Sequence, residues 1–201
     1  MDKTRIAVLV SGGGTNLQAL IDAQKNGIIC DGEIVLVVSN SSKAYALTRA
    51  ADNGIKSAVV TRKESGEGFE EKLLSVLKEN KIELIVLAGF MSILTADFVK
   101  NYPDRIINVH PALIPSFCGK GYYGLKVHEE ALKYGVKVSG ATVHLVNEIP
   151  DGGRILFQKA VDVLDDDTPE TLQKRIMEQA EWILLPKAAQ MMSKQIREEK
   201  Q

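Results

Sequence analysis

Residues 5–16 read Arg5-Ile6-Ala7-Val8-Leu9-Val10-Ser11-Gly12-Gly13-Gly14-Thr15-Asn16. The first six form an uninterrupted, largely aliphatic run with no polar alternation. A strand buried on both faces of a parallel sheet has this composition. Three glycines follow, and helical spacing then begins at Leu17, Leu20 and Ile21 and stops near Gly27. Strand, glycine turn and helix together open a crossover unit, and the rest of the chain repeats it. Apolar runs at 34–38, 58–60, 84–88 and 106–109 alternate with helical patterns at 16–26, 44–53 and 69–78. The expected fold is α/β: an open, mostly parallel, doubly wound sheet with helices on both faces. After Pro111 the rhythm changes. A Gly/Tyr-rich loop, FCGKGYYG, precedes a helix near 127–134, and strand-like runs at 138–146 and 155–161 form an antiparallel C-terminal portion. A long helix is expected over 168–192, with Thr168 as N-cap, Pro169 in its first turn and a kink or break at Pro186.

Composition narrows the class. The 201 residues suit a single domain, 1–201, with a first half at 1–105 and a second at 106–201. A net charge of -1 points to neither nucleic acid nor a membrane surface. Cys30 and Cys118 cannot build a disulfide framework and fit a reducing compartment. The N-terminal stretch has no signal-peptide core, and no apolar run reaches membrane-spanning length. A cytoplasmic protein acting on small molecules is expected, either monomeric or homodimeric.

A glycine loop between strand and helix lets backbone N–H groups approach an anion. A dinucleotide site would want a third small residue where Leu17 stands and an acid where the second strand ends in Ser39-Asn40; a nucleotide P-loop would want Gly-Lys-Ser/Thr. The loop therefore suits a single phosphate, with Ser11, Thr15 and Asn16 adding side-chain bonds. The plainer alternative is a tight turn with Asn16 as helix cap. In Ile107-Asn108-Val109-His110-Pro111, Asn108 and His110 fall at a strand's carboxyl end and point the same way. Asn offers a donor for an oxyanion and His moves protons near neutrality; a capping Asn and a core His are the alternative. Asp151, in Ile149-Pro150-Asp151-Gly152-Gly153, is an ordinary turn residue unless its loop folds over His110, where it would raise the histidine's pKa. His128 is expected on an exposed helix face, and His144 either lines the site or sits in the core. Trp182, Ile183, Leu184 and Leu185 read as core, and Asp165-Asp166-Asp167 as a solvated loop. No metal-ligand spacing occurs, so no metal is expected.

Four segments together, SGGGTNLQALID (11–22), VLAGFMSIL (86–94), INVHPALIPSF (107–117) and ATVHLVNEIPDGG (141–153), resemble the phosphoribosylglycinamide formyltransferase family of the purine pathway. The resemblance implies the Rossmann-like formyltransferase fold and direct formyl transfer from the cosubstrate 10-formyltetrahydrofolate to the amine of glycinamide ribonucleotide. By position it implies a catalytic trio of Asn108, His110 and Asp151. It places the substrate phosphate and ribose on Gly12, Gly13, Gly14, Thr15, Asn16 and Glu181. It places the folate on Met91, Ser92, Ile93, Leu94, Asn108, Val146, Asn147, Glu148, Ile149 and Pro150. Thr142 matches a position that helps order a water. The chain departs from the family pattern at Ala112, where a serine is usual, and at Ser92 and Gly66, where some members carry folate-contacting arginines. Arg62 and Lys63 offer other cations, and KGYYG (120–124) lengthens the loop after the histidine. A hydrolase releasing formate from the same folate, or a non-catalytic phosphoribosyl-binding module, would share parts of this pattern.

Overall fold

The computed structural model describes residues 2–200. Seven strands form one sheet: β1 (Thr4–Val10), β2 (Gly32–Ser39), β3 (Lys56–Val59), β4 (Leu84–Leu87), β5 (Ile106–His110), β6 (Val138–Leu145) and β7 (Ile155–Asp162). Their order is β3-β2-β1-β4-β5-β6-β7. β1 to β5 are parallel, and β6 and β7 run antiparallel to their neighbours. The helices are α1 (Thr15–Lys25), α2 (Tyr45–Asp52), α3 (Arg62–Ser65), α4 (Phe69–Glu79), α5 (Ala96–Val99), α6 (Leu125–Tyr134), α7 (Pro169–Ile176) and α8 (Trp182–Glu198).

The two-residue period of β1 explains the two cores. Ile6, Val8 and Val10 join Leu17, Leu20 and Ile21 of α1 and Leu185, Ala189 and Met192 of α8. Ala7 and Leu9 face the other way, onto Phe69, Leu73 and Leu77 of α4 and Phe98 of α5. A strand covered on both sides has no polar face to show, hence the unbroken aliphatic run. From β1 the chain winds outward to β2 and β3, then returns to lay β4 against β1's other edge. The winding direction reverses between β1 and β4, and a crevice opens there beyond the carboxyl ends of the strands. The glycine loop leaves β1 at this crevice, loop 88–95 leaves β4, and β5 ends beside them in Asn108 and His110.

Several expectations change. The long C-terminal helix does not break at Pro186. It widens one turn earlier into a π-helical turn, Met177–Glu181, and α8 then carries Pro186 as its fifth residue. Proline lacks an N–H and crowds the carbonyl four residues back, here Trp182, and the widened turn ends just before that residue. Thr168 caps α7 as expected, accepting from the Thr171 amide at 3.3 Å, with Pro169 following it. Asp167 is not solvated: its carboxylate accepts from both Arg175 guanidinium nitrogens at 2.6 and 2.5 Å, which holds its pKa well below the usual carboxylate range. Ile183 is exposed and Trp182 only half-buried, so Leu184 and Leu185 alone of that run enter the core. His128 is fully buried, with neither ring nitrogen partnered among the described residues, and burial pushes its pKa down to about 4. No helix among the described residues is long and apolar enough to cross a membrane.

Candidate active site

The glycine loop is shaped by its neighbours. Gly14 adopts φ 72, and a Cβ there would meet Ala46 Cα at 2.9 Å, so backbone conformation and packing both demand glycine. Gly12 and Gly13 face open space, where a side chain would obstruct access to the backbone. Their carbonyls accept from the Ala46 amide at 3.1 Å and Arg49 Nε at 2.9 Å, while the amides of Gly12, Gly13 and Gly14 donate to nothing among the described residues. A rigid loop with free N–H groups at the start of α1 is an anion cradle. Asn16 does not cap the helix, since Gly14 holds the cap position. Its Nδ2 instead donates to Glu181 Oε2 at 2.6 Å, and its Oδ1 is buried without a partner among the described residues. The π turn thus carries Glu181 across to α1. Burial pushes the Glu181 carboxyl up to about 7, against the opposing hydrogen bond from Asn16.

That shift has a testable sign. A carboxyl whose pKa rises from 4.5 to about 7 on folding binds its proton more tightly in the folded state. Its contribution is therefore fully present below pH 4.5 and declines as pH climbs towards 7. Glu181→Gln should flatten that part of a urea-midpoint-against-pH curve; an unchanged slope would assign the proton elsewhere.

At the end of β5, Asn108 lies opposite His144 of β6, and His110 opposite Thr142. Asp151 comes from the β6–β7 loop, 43 residues along the chain from Asn108. Its backbone has φ 55, in a turn closed by the Gly152 amide donating to the Ile149 carbonyl at 2.9 Å. Gly153 presses the loop against β6 so closely that a Cβ would lie 1.8 Å from the Leu145 carbonyl oxygen. The Asp151 carboxylate accepts from the Gly119 amide at 2.8 Å and faces His110 Nδ1 and His144 Nε2, each at 3.5 Å. Asn108 Nδ2 points at His144 Nε2, 3.2 Å away, and at Asp151 Oδ1, 3.5 Å away. His110 Nε2 lies 2.8 Å from the Phe117 carbonyl, and His144 Nδ1 lies 2.8 Å from that of Leu145. Burial alone would raise the Asp151 carboxyl; the His144 bond, the charge of His110 and the Gly119 amide outweigh it, and the pKa is lowered. For His110 the balance tips the other way. Burial lowers its pKa more than Asp151 and the Phe117 carbonyl raise it, so the carboxylate lifts it as expected while the net shift is downward.

These groups form the floor of a cleft of about 640 Å³. One side is the loop from Gly89 to Leu94, another Val146 to Pro150, and a third Gly119 to Gly124. The lips carry exposed apolar side chains, Met91 at 53% and Ile93 at 63%, an arrangement typical of a ligand rim rather than of ordinary surface. Lys120 is the one lysine or arginine lining it among the described residues.

Residues 4–188 match the formyl transferase family. The chain belongs to this family. Among solved structures, phosphoribosylglycinamide formyltransferase from Brucella melitensis is 41% identical, with 96% of each chain covered and a TM-score of 0.87. Glycinamide ribonucleotide transformylase 1 from Symbiobacterium toebii is 37% identical, covering 96% of this chain and 88% of its own, with a TM-score of 0.88. Among curated proteins, the chloroplastic phosphoribosylglycinamide formyltransferase of Arabidopsis thaliana is 40% identical over 87% of this chain, which spans 61% of that protein's length. The trifunctional purine biosynthetic protein adenosine-3 of Gallus gallus is 44% identical over 96% of this chain, which spans 19% of it.

In this formyl transferase chain, every residue expected at the folate lines the cleft, as do Asn108, His110 and Asp151; Gly12 to Asn16 and Glu181 do not line it, and the glycine loop adjoins it through the Ser11 contact with Met91. Three features went unread in the sequence: the Gly119 amide, the wall from Lys120 to Gly124, and the convergence of His144 on Asp151. The alternation of Thr142 and His144 was the available signal for the last. Arg62 does not line the cleft. It donates through Nη2 to the Ile93 carbonyl at 3.3 Å and stacks over Phe69, bracing the lip from outside. Thr142 is not placed to order a water. Its hydroxyl donates to the Ala112 carbonyl at 2.7 Å and accepts from the Ile114 amide and Gln158 Nε2 at 3.1 and 3.0 Å, which exhausts its capacity. Thr142 fastens the loop beneath His110. Thr142→Val should cost about 2 kcal/mol in urea unfolding, by stranding these partners. Lost turnover at unchanged stability would restore a role with water.

Proposed function

We propose that the chain transfers the formyl group of 10-formyltetrahydrofolate to the amine of glycinamide ribonucleotide. The observation that carries this is the meeting of Asn108, His110, His144 and Asp151 at the floor of an apolar-lipped cleft, beside a glycine loop with free amides. The loop holds the substrate phosphate, with Gly12 to Asn16 and Glu181 around its ribose. The cleft takes the folate, its ring system between the Met91–Leu94 and Val146–Pro150 walls. The acceptor nitrogen attacks the formyl carbon, and the carbonyl electrons move onto oxygen. Asn108 Nδ2 exchanges its long 3.5 Å contact with Asp151 for that oxyanion; a donor of this kind contributes about 3 kcal/mol. The bond from carbon to N10 then breaks. The proton shed by the attacking nitrogen passes through the Asp151–His110 pair to N10, leaving tetrahydrofolate. His110 begins neutral, ready to take that proton, and the depressed pKa of Asp151 keeps its charge available to stabilise the imidazolium that forms.

Asn108→Ala should lower kcat by about two to three orders of magnitude while changing KM little, because its bond forms in the transition state. Near-wild-type kcat would remove Asn108 from the reaction. The two free cysteines, Cys30 and Cys118, support the accompanying inference of a cytoplasmic protein.

A further inference from the structure

The lip formed by residues 88–95 has no helix or strand of its own. Its footing is borrowed. The Met91 amide donates to Ser11 Oγ at 2.8 Å, and Asn40 Nδ2 donates to Ser92 Oγ at 2.9 Å. Arg62 holds the Ile93 carbonyl, and the Ala88 amide donates to the Leu9 carbonyl at 2.9 Å. Asn40 is itself set by the end of β2, its amide donating to the Val10 carbonyl at 3.3 Å. Three of these anchors come from the carboxyl ends of β1 and β2, where the glycine loop begins. Ser11 is the residue immediately before Gly12.

A serine hydroxyl has one proton to give and two lone pairs. Ser11 uses a lone pair on Met91, and among the described residues its proton has no acceptor. We propose that Ser11 is a positioning residue that couples the two substrate subsites: an anion in the glycine loop accepts from the Ser11 hydroxyl, which tightens the hydroxyl's hold on the Met91 amide and so fixes the folate lip. The chain of bonds runs from the Met91 N–H to Ser11 Oγ and from the Ser11 O–H to the anion. Bonds in such a series polarise one another in the same direction. Met91 and Ile93 stand exposed on an otherwise unstructured segment, and ordering their backbone favours the ligand that lies against them. Asn40 anchors the same lip through a side chain whose hydrogen bond goes to Ser92 and not to the glycine loop. The inference rests on the formyl-transfer reading for the identity of the two ligands.

The test is the dissociation constant of tetrahydrofolate with the glycine loop empty and then saturated with ribose 5-phosphate. In the wild type, saturation should tighten tetrahydrofolate about fivefold, the low end of ordinary coupling between sites. Ser11→Ala should bring the ratio to one even at saturation, and Ser11→Thr, which keeps the hydroxyl, should restore it. Asn40→Ala should weaken tetrahydrofolate equally in both conditions and leave the ratio intact. A wild-type ratio of one, a ratio unchanged in Ser11→Ala, or equal loss of coupling in Asn40→Ala would each overturn the relay. If the wild type binds no tetrahydrofolate at all, the formyl-transfer reading fails first and the relay falls with it.

Discussion

Asp151→Asn should lower the kcat of formyl transfer by about three orders of magnitude while leaving the chain folded. Asparagine keeps the shape of the side chain and can still accept from the Gly119 amide, so the loop stays in place. What it loses is the negative charge facing His110 and His144 at 3.5 Å. His110 already has a lowered pKa because burial outweighs the support of Asp151 and the Phe117 carbonyl. Removing that support lowers it further, so the imidazolium needed midway through proton transfer becomes harder to form. The pH at which His110 titrates, read by NMR, should therefore move down in the variant. Stability carries its own sign. The folded-state pKa of Asp151 lies below its ordinary 3.8, so its charge stabilises the fold above pH 3.8, and that contribution is lost as pH falls through the folded value. The stability gap between wild type and variant should accordingly close in acid. A variant with near-wild-type kcat would remove Asp151 from the chemistry.

Gly153→Ala should also have a large effect, through geometry rather than charge. The added methyl would sit 1.8 Å from the Leu145 carbonyl oxygen and 2.7 Å from its carbon, both backbone atoms that cannot rotate aside. The loop has to lift off β6, at a cost of about 3 kcal/mol, the upper range for forcing a methyl into a packed site. Asp151 lies two residues away and moves with it, so kcat should drop alongside the urea midpoint. Gly152→Ala is the comparison: its clash is with Ile149 Cγ2 at 2.6 Å and Cβ at 2.7 Å, within the same turn, where side-chain movement relieves part of it. An alanine at 153 that left both stability and kcat unchanged would mean the loop is not held against β6.

These two residues show where the sequence stops being legible. The unbroken run 5–10, the glycines after it and the strand-to-helix rhythm all express local periodicity, and the sheet follows from them. Asn108 and His110 were readable for the same reason, since two residues at one strand's end share a face. Asp151 was not, because its place depends on a contact between segments 43 residues apart, held by a glycine whose role appears only against the Leu145 carbonyl. His128 misled because α6 buries a position that a short amphipathic pattern leaves ambiguous. Thr142 misled because its role by resemblance said nothing of the three partners that occupy its hydroxyl. Pro186 signalled a distortion correctly but not its position, since a helix can absorb a proline one turn ahead by widening. The sign of the His110 shift depended on how deeply the cleft buries it, a quantity that no spacing encodes.

The most direct measurement follows 10-formyltetrahydrofolate conversion to tetrahydrofolate by the wild-type chain, with and without glycinamide ribonucleotide, and identifies the product by mass. Turnover that requires the acceptor, with one formyl group appearing on its amine for each tetrahydrofolate released, is the predicted result. Formate release at the same rate without the acceptor, or saturable phosphoribosyl binding with no turnover at all, would contradict it.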